Sequence, residues 1–458
     1  MDNNRSSFTG KIGFVLAAAG SAVGLGNIWR FPYLAAEYGG GIFLLVYIIL
    51  AVTFGFSLMV AEIAIGRKTG MSPIDAFRKL DRRFTFVGYL VAIIPAIILP
   101  YYSVIGGWVM KYFFGFVTGE AKAMADKDYF TSYTSIVGEP LVWFAIYIAL
   151  TAIIVLFGVN KGVEKVSKVM MPILVILILF IAIYTIVTVE NAWDGVVYYI
   201  KPDFSKFSIK TVFAAMGQLF YSMSLAMGIM ITFGSYTKKD ISIEKSTRQI
   251  EVFDTLVAFL AGLMIIPAVV AFEGVEGVGK GAGLMFITLP QIFDKMPGGA
   301  FIGMAFFLMV FFAALTSSIS LMETIVSVMQ DKMKMSRKTA CILVLVFSLI
   351  LGAVSCLGFS EWKNVNNLLS LKLDFLGFFD FISNSVLMPV AAFFTCLCIG
   401  YFVKPEWAID EVELNGKFKG KTLFTVMIKY IAPVCILLIL ITSVLDAMGS
   451  AGLINFKF

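Results

Sequence analysis

Eleven times in 458 residues, this chain runs apolar for roughly the 20 residues that a bilayer core about 30 Å thick demands of a helix. The runs fall near 12–36, 41–66, 87–117, 140–158, 169–189, 211–235, 250–272, 298–329, 339–358, 373–402 and 423–447. In lipid each backbone amide and carbonyl must find its partner inside the protein, which leaves helices or a closed barrel. Runs of this length predict an all-α integral membrane protein with eleven spans, several long enough to lie tilted. The connecting segments are short and polar, so 1–458 reads as one transmembrane domain with no separate soluble unit. Composition agrees: 59% of residues are hydrophobic and 14% charged, where soluble domains carry about 45–50% and roughly 25%. A soluble enzyme and a nucleic-acid binder are excluded.

The chain has no histidine. Imidazole bases, Ser-His-Asp triads and His-ligated metals are therefore absent, and no enzyme activity is expected. The five cysteines, Cys341, Cys356, Cys396, Cys398 and Cys435, are odd in number and lack the spacing of a zinc site. They read as small buried hydrophobes.

Orientation follows from Lys and Arg. With the N-terminus inside, the cytoplasmic segments collect 24 of the 36 basic residues, among them Arg67, Lys68, Arg78, Lys79, Arg82 and Arg83. That bias predicts a cytoplasmic N-terminus. Eleven spans then leave the C-terminus outside a cell membrane. Arg5 and the run to Ala17-Ala18-Ala19 have the outline of a signal peptide, but the apolar stretch continues into GLGNIWRFPY, so the first span is expected to stay.

Two spans are poor straight helices. The first contains AAAGSAVGLGN, with Gly20, Gly24 and Gly26 within seven residues, and the sixth contains GQLFYSMSLAMG. Mid-helix glycine costs about 1 kcal/mol relative to alanine. Small residues also serve close helix packing, but here they are followed by Asn27 and Arg30, which need partners at that depth. Interrupted helices at matching places in two halves point to a midplane transport site. The spacing suggests two inverted five-helix repeats, about 11–190 and 210–402, with an additional helix at 423–447; this pairing rests on position along the chain. Breaks free carbonyls, which bind cations, and helix N-termini, which bind carboxylates.

SAVGLGNIWRFPY (21–33), EYGGGIF (37–43), GQLFYSMSLAMG (217–228), ITFGSYTKKD (231–240) and AALTSSISL (313–321) resemble the neurotransmitter:sodium symporter family, of the LeuT fold, over nearly the full length. Eleven helices resemble its bacterial amino-acid branch, which includes tyrosine and bulky-hydrophobic transporters. The resemblance implies two sodium ions and no organic cofactor. One ion would use carbonyls of Gly20, Val23 and Ala313 with the hydroxyls of Thr316 and Ser317. Thr316 and Ser317 have an ordinary alternative, bonding back to carbonyls one turn earlier. The other ion would use the Ala22 carbonyl, Asn27, Ser222 and the substrate carboxylate. Spacing back from Gly262 and Pro267 places Asp254 where the family usually has asparagine. A carboxylate in a membrane helix costs about 2.5–3.5 kcal/mol and is functional by default. Asp254 is thus expected to replace the chloride that many animal relatives need, and to take up a proton on the empty return step. The alternative places it at the helix's cytoplasmic end near Arg248.

Monoamine carriers have aspartate where this chain has Gly24, and GABA carriers have glycine where it has Leu25. The resemblance therefore implies an L-amino acid that brings its own carboxylate to sodium, the Leu25 and Gly26 amides and the Tyr102 hydroxyl. The remaining pocket carries over as Ala22, Ile98, Tyr221, Ser222, Ser224, Met227, Gly228, Ser317 and Leu321. It has no charged side chain, and Met227 is adaptable, so tyrosine, tryptophan or another bulky hydrophobic amino acid is expected. Arg30 and Asp380 would pair as an outer gate beneath which Tyr102 and Tyr221 form a lid. Arg5 and Asp331, with Tyr236 nearby, would form the inner gate, where Phe8 replaces the usual tryptophan and is expected to loosen the latch. Beyond substrate and lipid bilayer, neither nucleic acid nor an obligatory protein partner is implied. A channel, a non-transporting sensor and a membrane enzyme are the rival readings; the first would need a continuous polar path, which substrate-independent sodium current would reveal, and the second lacks a signalling domain.

Overall fold

The computed structural model describes residues 7–275, 277, 283–365 and 371–453. Among these, nine helices are long and apolar enough to cross a membrane: Gly41–Thr69, Arg82–Thr118, Gly138–Leu156, Val159–Thr188, Ile243–Glu273, Gly299–Met333, Arg337–Phe359, Phe375–Phe402 and Lys421–Ser450. A tenth span is the pair Lys11–Ala22 and Gly26–Glu37, bent by 52°. The segment expected as the sixth span is divided into Ile209–Ser222 and Ile229–Ser235, neither long enough to cross alone. The physical reason lies at the break: Ser224, Ala226 and Gly228 take φ of 52°, 59° and 73°, which no α-helix accommodates.

Numbered in the chain order expected from the sequence, the two divided spans are the first and the sixth. Long helices wrap these two. Lys11–Ala22, the first half of the first span, packs on the fifth, seventh and eighth spans, and Ile229–Ser235 packs on the second. That last contact is backbone to backbone: a Cβ on Gly66 would stand 1.9 Å from the Ile231 carbonyl oxygen, and one on Gly234 2.5 Å from that of Ile63. Small residues allow such approach where lipid gives helices no hydrophobic reason to associate. Short helices the apolar pattern does not announce, Pro73–Leu80, Ala192–Ile200, Leu289–Lys295 and Pro405–Glu413, fill the connections. All five cysteines are free thiols, and four are buried.

Candidate functional site

The two breaks meet at the centre of the bundle, and their loosened backbone is met by side chains. In the first span the Gly24 amide donates to Asn27 Oδ1 (3.1 Å), the Leu25 amide to the Tyr102 hydroxyl (3.2 Å), and the Gly26 carbonyl accepts from Gln218 Nε2 (2.8 Å). In the sixth, the Ala226 amide donates to Glu62 Oε1 at 2.7 Å and Ser224 Oγ donates to the Ser21 carbonyl at 2.9 Å. Lipid cannot supply these bonds, so the breaks are built into the packing. Glu62, Gln218 and Ser21 escaped the sequence reading; an acidic residue within the apolar run 41–66 is the signal that finds Glu62.

Two oxygen-rich clusters flank the breaks. Ser317 Oγ lies 3.1 Å from the Ser21 carbonyl oxygen, 3.2 Å from that of Ala313, and 3.5 Å from those of Gly20 and Val23. A hydroxyl has one proton to give, so four carbonyl dipoles converge on a point where a cation is the natural counter-charge. Thr316, beside it, bonds back to the Phe312 and Ala313 carbonyls at 3.0 and 3.1 Å. In the second cluster the fully buried Asp254 accepts from Asn27 Nδ2 (2.8 Å) and Ser222 Oγ (2.7 Å) on one oxygen and from the Tyr47 hydroxyl (3.1 Å) on the other. Arg248 is engaged elsewhere, 3.8 Å from Glu244 and over the Phe56 ring. Asp254 therefore sits at the break and not at the helix end near Arg248. Tyr47 was missed because a tyrosine in an apolar run carries no periodic signal. Hard oxygen donors with a single carboxylate suit an alkali cation; among the described residues no group of three or more Asp, Glu, His or Cys could hold a multivalent metal.

Between the clusters lies a cavity of 30 Å³ lined by Ala22, Gly24, Leu25, Gly26, Ile98, Tyr102, Tyr221, Ser222, Ser224, Met227, Ser317 and Leu321, joined by Ser21 and Ile229. Gly228, expected in the pocket, does not line it. Its left-handed backbone starts Ile229–Ser235, and a Cβ there would meet Val91 at 2.7 Å and Pro73 at 2.8 Å. The lining has no charged side chain.

Beside the cavity a vestibule of 210 Å³ contains Arg30 and Asp380, with Leu25, Gly26 and Tyr221 shared between the two spaces. The expected Arg30–Asp380 pair is not made. Asp380 accepts from Asn384 Nδ2 at 2.6 Å and the Tyr101 hydroxyl at 3.2 Å, while the Arg30 guanidinium lies 5.4 Å from the centre of the Tyr221 ring. Local donors on its own helix and on the third span satisfy the carboxylate, so the two charges stay apart across the vestibule.

The side of the bundle away from the vestibule is held by more bonds. Tyr236 donates to Glu323 at 2.8 Å, Glu323 is ion-paired with Arg337, and Asp331 accepts from the Ser72 amide at 2.8 Å. Arg5 lies outside the described residues. Phe8 packs into this side: it is fully buried, its ring 5.6 Å from Phe233 and 6.2 Å from Tyr236, and its amide donates to the Tyr236 carbonyl at 3.1 Å. Breaking a buried ion pair by removing one charge costs about 3–5 kcal/mol. Glu323→Gln is accordingly expected to open the inner side. The readout is maleimide labelling of Cys341, one turn from Arg337 and 3% exposed, which should rise at least about tenfold, the equivalent of about 1.4 kcal/mol. Unchanged labelling would show that the pair is no latch.

Residues 5–132 and 127–458 match the sequence model of the sodium:neurotransmitter symporter family. The sodium-dependent transporter YhdH of Bacillus subtilis, itself uncharacterized, is 33% identical over 439 residues, 94% of this chain and 95% of that protein. An uncharacterized sodium-dependent transporter of Haemophilus influenzae is 30% identical over 458 residues, covering 96% and 99%. Among solved structures, that of MhsT in complex with L-phenylalanine superimposes with a TM-score of 0.87 at 35% identity, covering 96% of this chain and all of that one. Two helices broken at mid-depth, oxygen clusters fit for a monovalent cation, and relatives alike from end to end place this LeuT-fold chain among sodium-coupled membrane transporters: it belongs to the sodium:neurotransmitter symporter family.

Proposed function

We propose that this protein imports a neutral, bulky hydrophobic or aromatic L-amino acid with two sodium ions, without chloride, by alternating access across a cell membrane. The observation that carries the reading is Asp254, fully buried at the first-span break and bonded to Asn27 and Ser222. A fixed carboxylate there supplies the negative charge that a neighbouring sodium ion needs, and a diffusible anion becomes redundant. The first sodium would lie among Ala22, Asn27, Ser222, Asp254 and the substrate carboxylate. The second would lie in the carbonyl cluster around Ser317. The uncharged lining of the central cavity and the phenylalanine bound by MhsT favour an apolar side chain. At 30 Å³ the space must widen to admit one, and Met227, with its unbranched flexible chain, and Tyr221 are the residues to swing. The basic residues of the cytoplasmic segments support an N-terminus inside. A zwitterion carries no net charge, so each sodium ion brings about 2.3 kcal/mol per 100 mV of membrane potential to the uphill step.

The test is radiolabelled uptake by the purified protein in liposomes, with phenylalanine, tyrosine, tryptophan, leucine and glycine as competitors. An inward sodium gradient should drive accumulation, potassium should not, and replacing chloride by gluconate should leave the rate unchanged. Equal uptake in potassium would sink the coupling. Loss of uptake in gluconate would sink chloride independence alone, and preferential competition by glycine would sink the bulky-substrate reading.

A further inference from the structure

The connection between the tenth and last spans carries the helix Pro405–Glu413, and buried bonds tie that connection to two other parts of the chain. At the end of the second span the Arg67 side chain is fully buried, and its Nε donates to Glu411 Oε1 at 2.8 Å. Its other nitrogens donate to the Glu411 carbonyl, to the Ile241 carbonyl and, at 3.2 Å, to Asn415 Oδ1. Next to it Lys68 donates to the Trp407 carbonyl at 2.6 Å and lies 4.5 Å from the centre of that ring. From the link between the sixth and seventh spans, Lys239 donates to the same Glu411 oxygen at 2.6 Å, and its carbonyl accepts from Asn415 Nδ2 at 2.9 Å. Gly416 turns the chain at φ 116°, and the Lys419 amide then donates to Glu244 Oε2, in the first turn of the seventh span, at 3.2 Å. One carboxylate thus answers two cations from segments far apart in the sequence.

Two seams on this side of the bundle differ in where their charges lie. Across the seam to the eighth span, Tyr236 gives Glu323 a neutral hydroxyl and Ser72 gives Asp331 a backbone amide. The Glu323–Arg337 pair lies within the eighth and ninth spans and survives a parting here. At the Pro405–Glu413 seam the charges stand on opposite partners, so a parting would strand the buried Arg67 guanidinium without its counter-charge. The second span and Ile229–Ser235 also touch backbone to backbone at Gly66 and Gly234. We propose that residues 405–419 are a strap binding the end of the second span, Ile229–Ser235 and the start of the seventh span into one block, and that this block swings as a unit from the eighth span when this side opens. The place to turn is Lys404, a non-glycine residue held at φ 73° and ψ 145° between the tenth span and Pro405. Hinges are element-terminal positions of this kind, which absorb the change in backbone angle. The opening rests on the alternating access proposed above; the strap's place in the block does not.

The experiment reads distances between nitroxide labels on the protein in liposomes. The labels sit on exposed positions, Asp410→Cys on the strap, Gln249→Cys on the seventh span and Lys338→Cys on the ninth, taken two at a time. The chain carries Cys435→Ser to remove the one native thiol that is not buried. This side is opened by Tyr236→Phe, which deletes the hydroxyl crossing the seam, or by Glu323→Gln. The strap-to-ninth and seventh-to-ninth distances are expected to shift together by about 5 Å, the scale of a one-turn displacement between packed elements, while strap-to-seventh holds within about 1 Å. A strap that keeps its distance to the ninth span while the seventh departs overturns the proposal, and so do three unchanged distances. Glu411→Gln should broaden the strap-to-seventh distribution at least about twofold, because Arg67 then lacks its counter-charge. Lys239→Gln, which leaves the Arg67 pair in place, should broaden it less. A native width in Glu411→Gln would show that these charges do not hold the strap, which also overturns it. Neither opening variant needs sodium or an amino acid, so the result is independent of which substrate the central site takes.

Discussion

Asp254→Asn is expected to weaken sodium-dependent substrate binding about a hundredfold, the equivalent of about 3 kcal/mol at 1.4 kcal/mol per decade. Three donors point at this carboxylate, from Asn27, Ser222 and Tyr47, at 2.7–3.1 Å. Asparagine keeps one acceptor oxygen and puts an NH₂ group in place of the other, so the hydroxyl that donated there must turn to accept and its bond to an ionised oxygen is lost. The charge is lost as well, and taking one charge from a compensated buried group costs about 3–5 kcal/mol; the lower end of that range corresponds to the hundredfold loss. A titration of substrate binding against sodium reads the shift directly. Chloride, a small mobile anion, should restore part of the affinity in the variant, and gluconate should not. If the sodium midpoint of Asp254→Asn matched that of the native protein, Asp254 would be a structural carboxylate and the account of ion coupling would be wrong.

Gly24→Ala should lower amino-acid affinity by about 10- to 100-fold at saturating sodium. A Cβ at Gly24 would stand 2.7 Å from Ser317 Oγ and 2.9 Å from the Tyr102 hydroxyl oxygen. Both atoms have duties: Tyr102 holds the Leu25 amide, and Ser317 sits within the carbonyl cluster. The added methyl pushes one or both aside, and overpacking of this kind costs about 1–3 kcal/mol. Equilibrium binding of the labelled amino acid checks it. Gly138→Ala, at a position where an added Cβ meets nothing within 4 Å, is the matched control for handling and expression. Native affinity in Gly24→Ala would show that the site has slack at this point, and the tight junction between the first break and the eighth span would lose its meaning.

Much of the site was legible because its signals are local. Glycines crowded between apolar residues, as at Gly20, Gly24 and Gly26, weaken a helix wherever it lies. The spacing from Pro267 back to Asp254 counts turns along one unbroken helix, and the observed helix Ile243–Glu273 preserves that count. Glu62 and Tyr47 are different. Each is an isolated polar group in an apolar run, and its purpose exists only where another element arrives: the Ala226 amide for Glu62, the Asp254 carboxylate for Tyr47. Gly228 shows the converse error, since a glycine beside the pocket served the turn of the chain and not the wall of the cavity.

The gates mark the same boundary more sharply. Arg30 and Asp380 are both rare charges in membrane spans, and their mutual need invites pairing; in the structure Tyr101 and Asn384 satisfy the aspartate first. Phe8 lacks the polar edge of a tryptophan, yet its ring is fully buried beside Phe233 and Tyr236.

By itself the sequence determined that this chain is built of apolar membrane-spanning helices and which two segments break, because bilayer thickness and backbone hydrogen bonding act on each segment alone. Only the tertiary structure decided that Asp254 reaches the first-span break, that Glu323 locks to Arg337, and that Arg30 faces its expected partner across the vestibule without pairing with it. Those outcomes are contests among groups far apart in the chain, and the winner is whichever donor or ring the packing brings within reach.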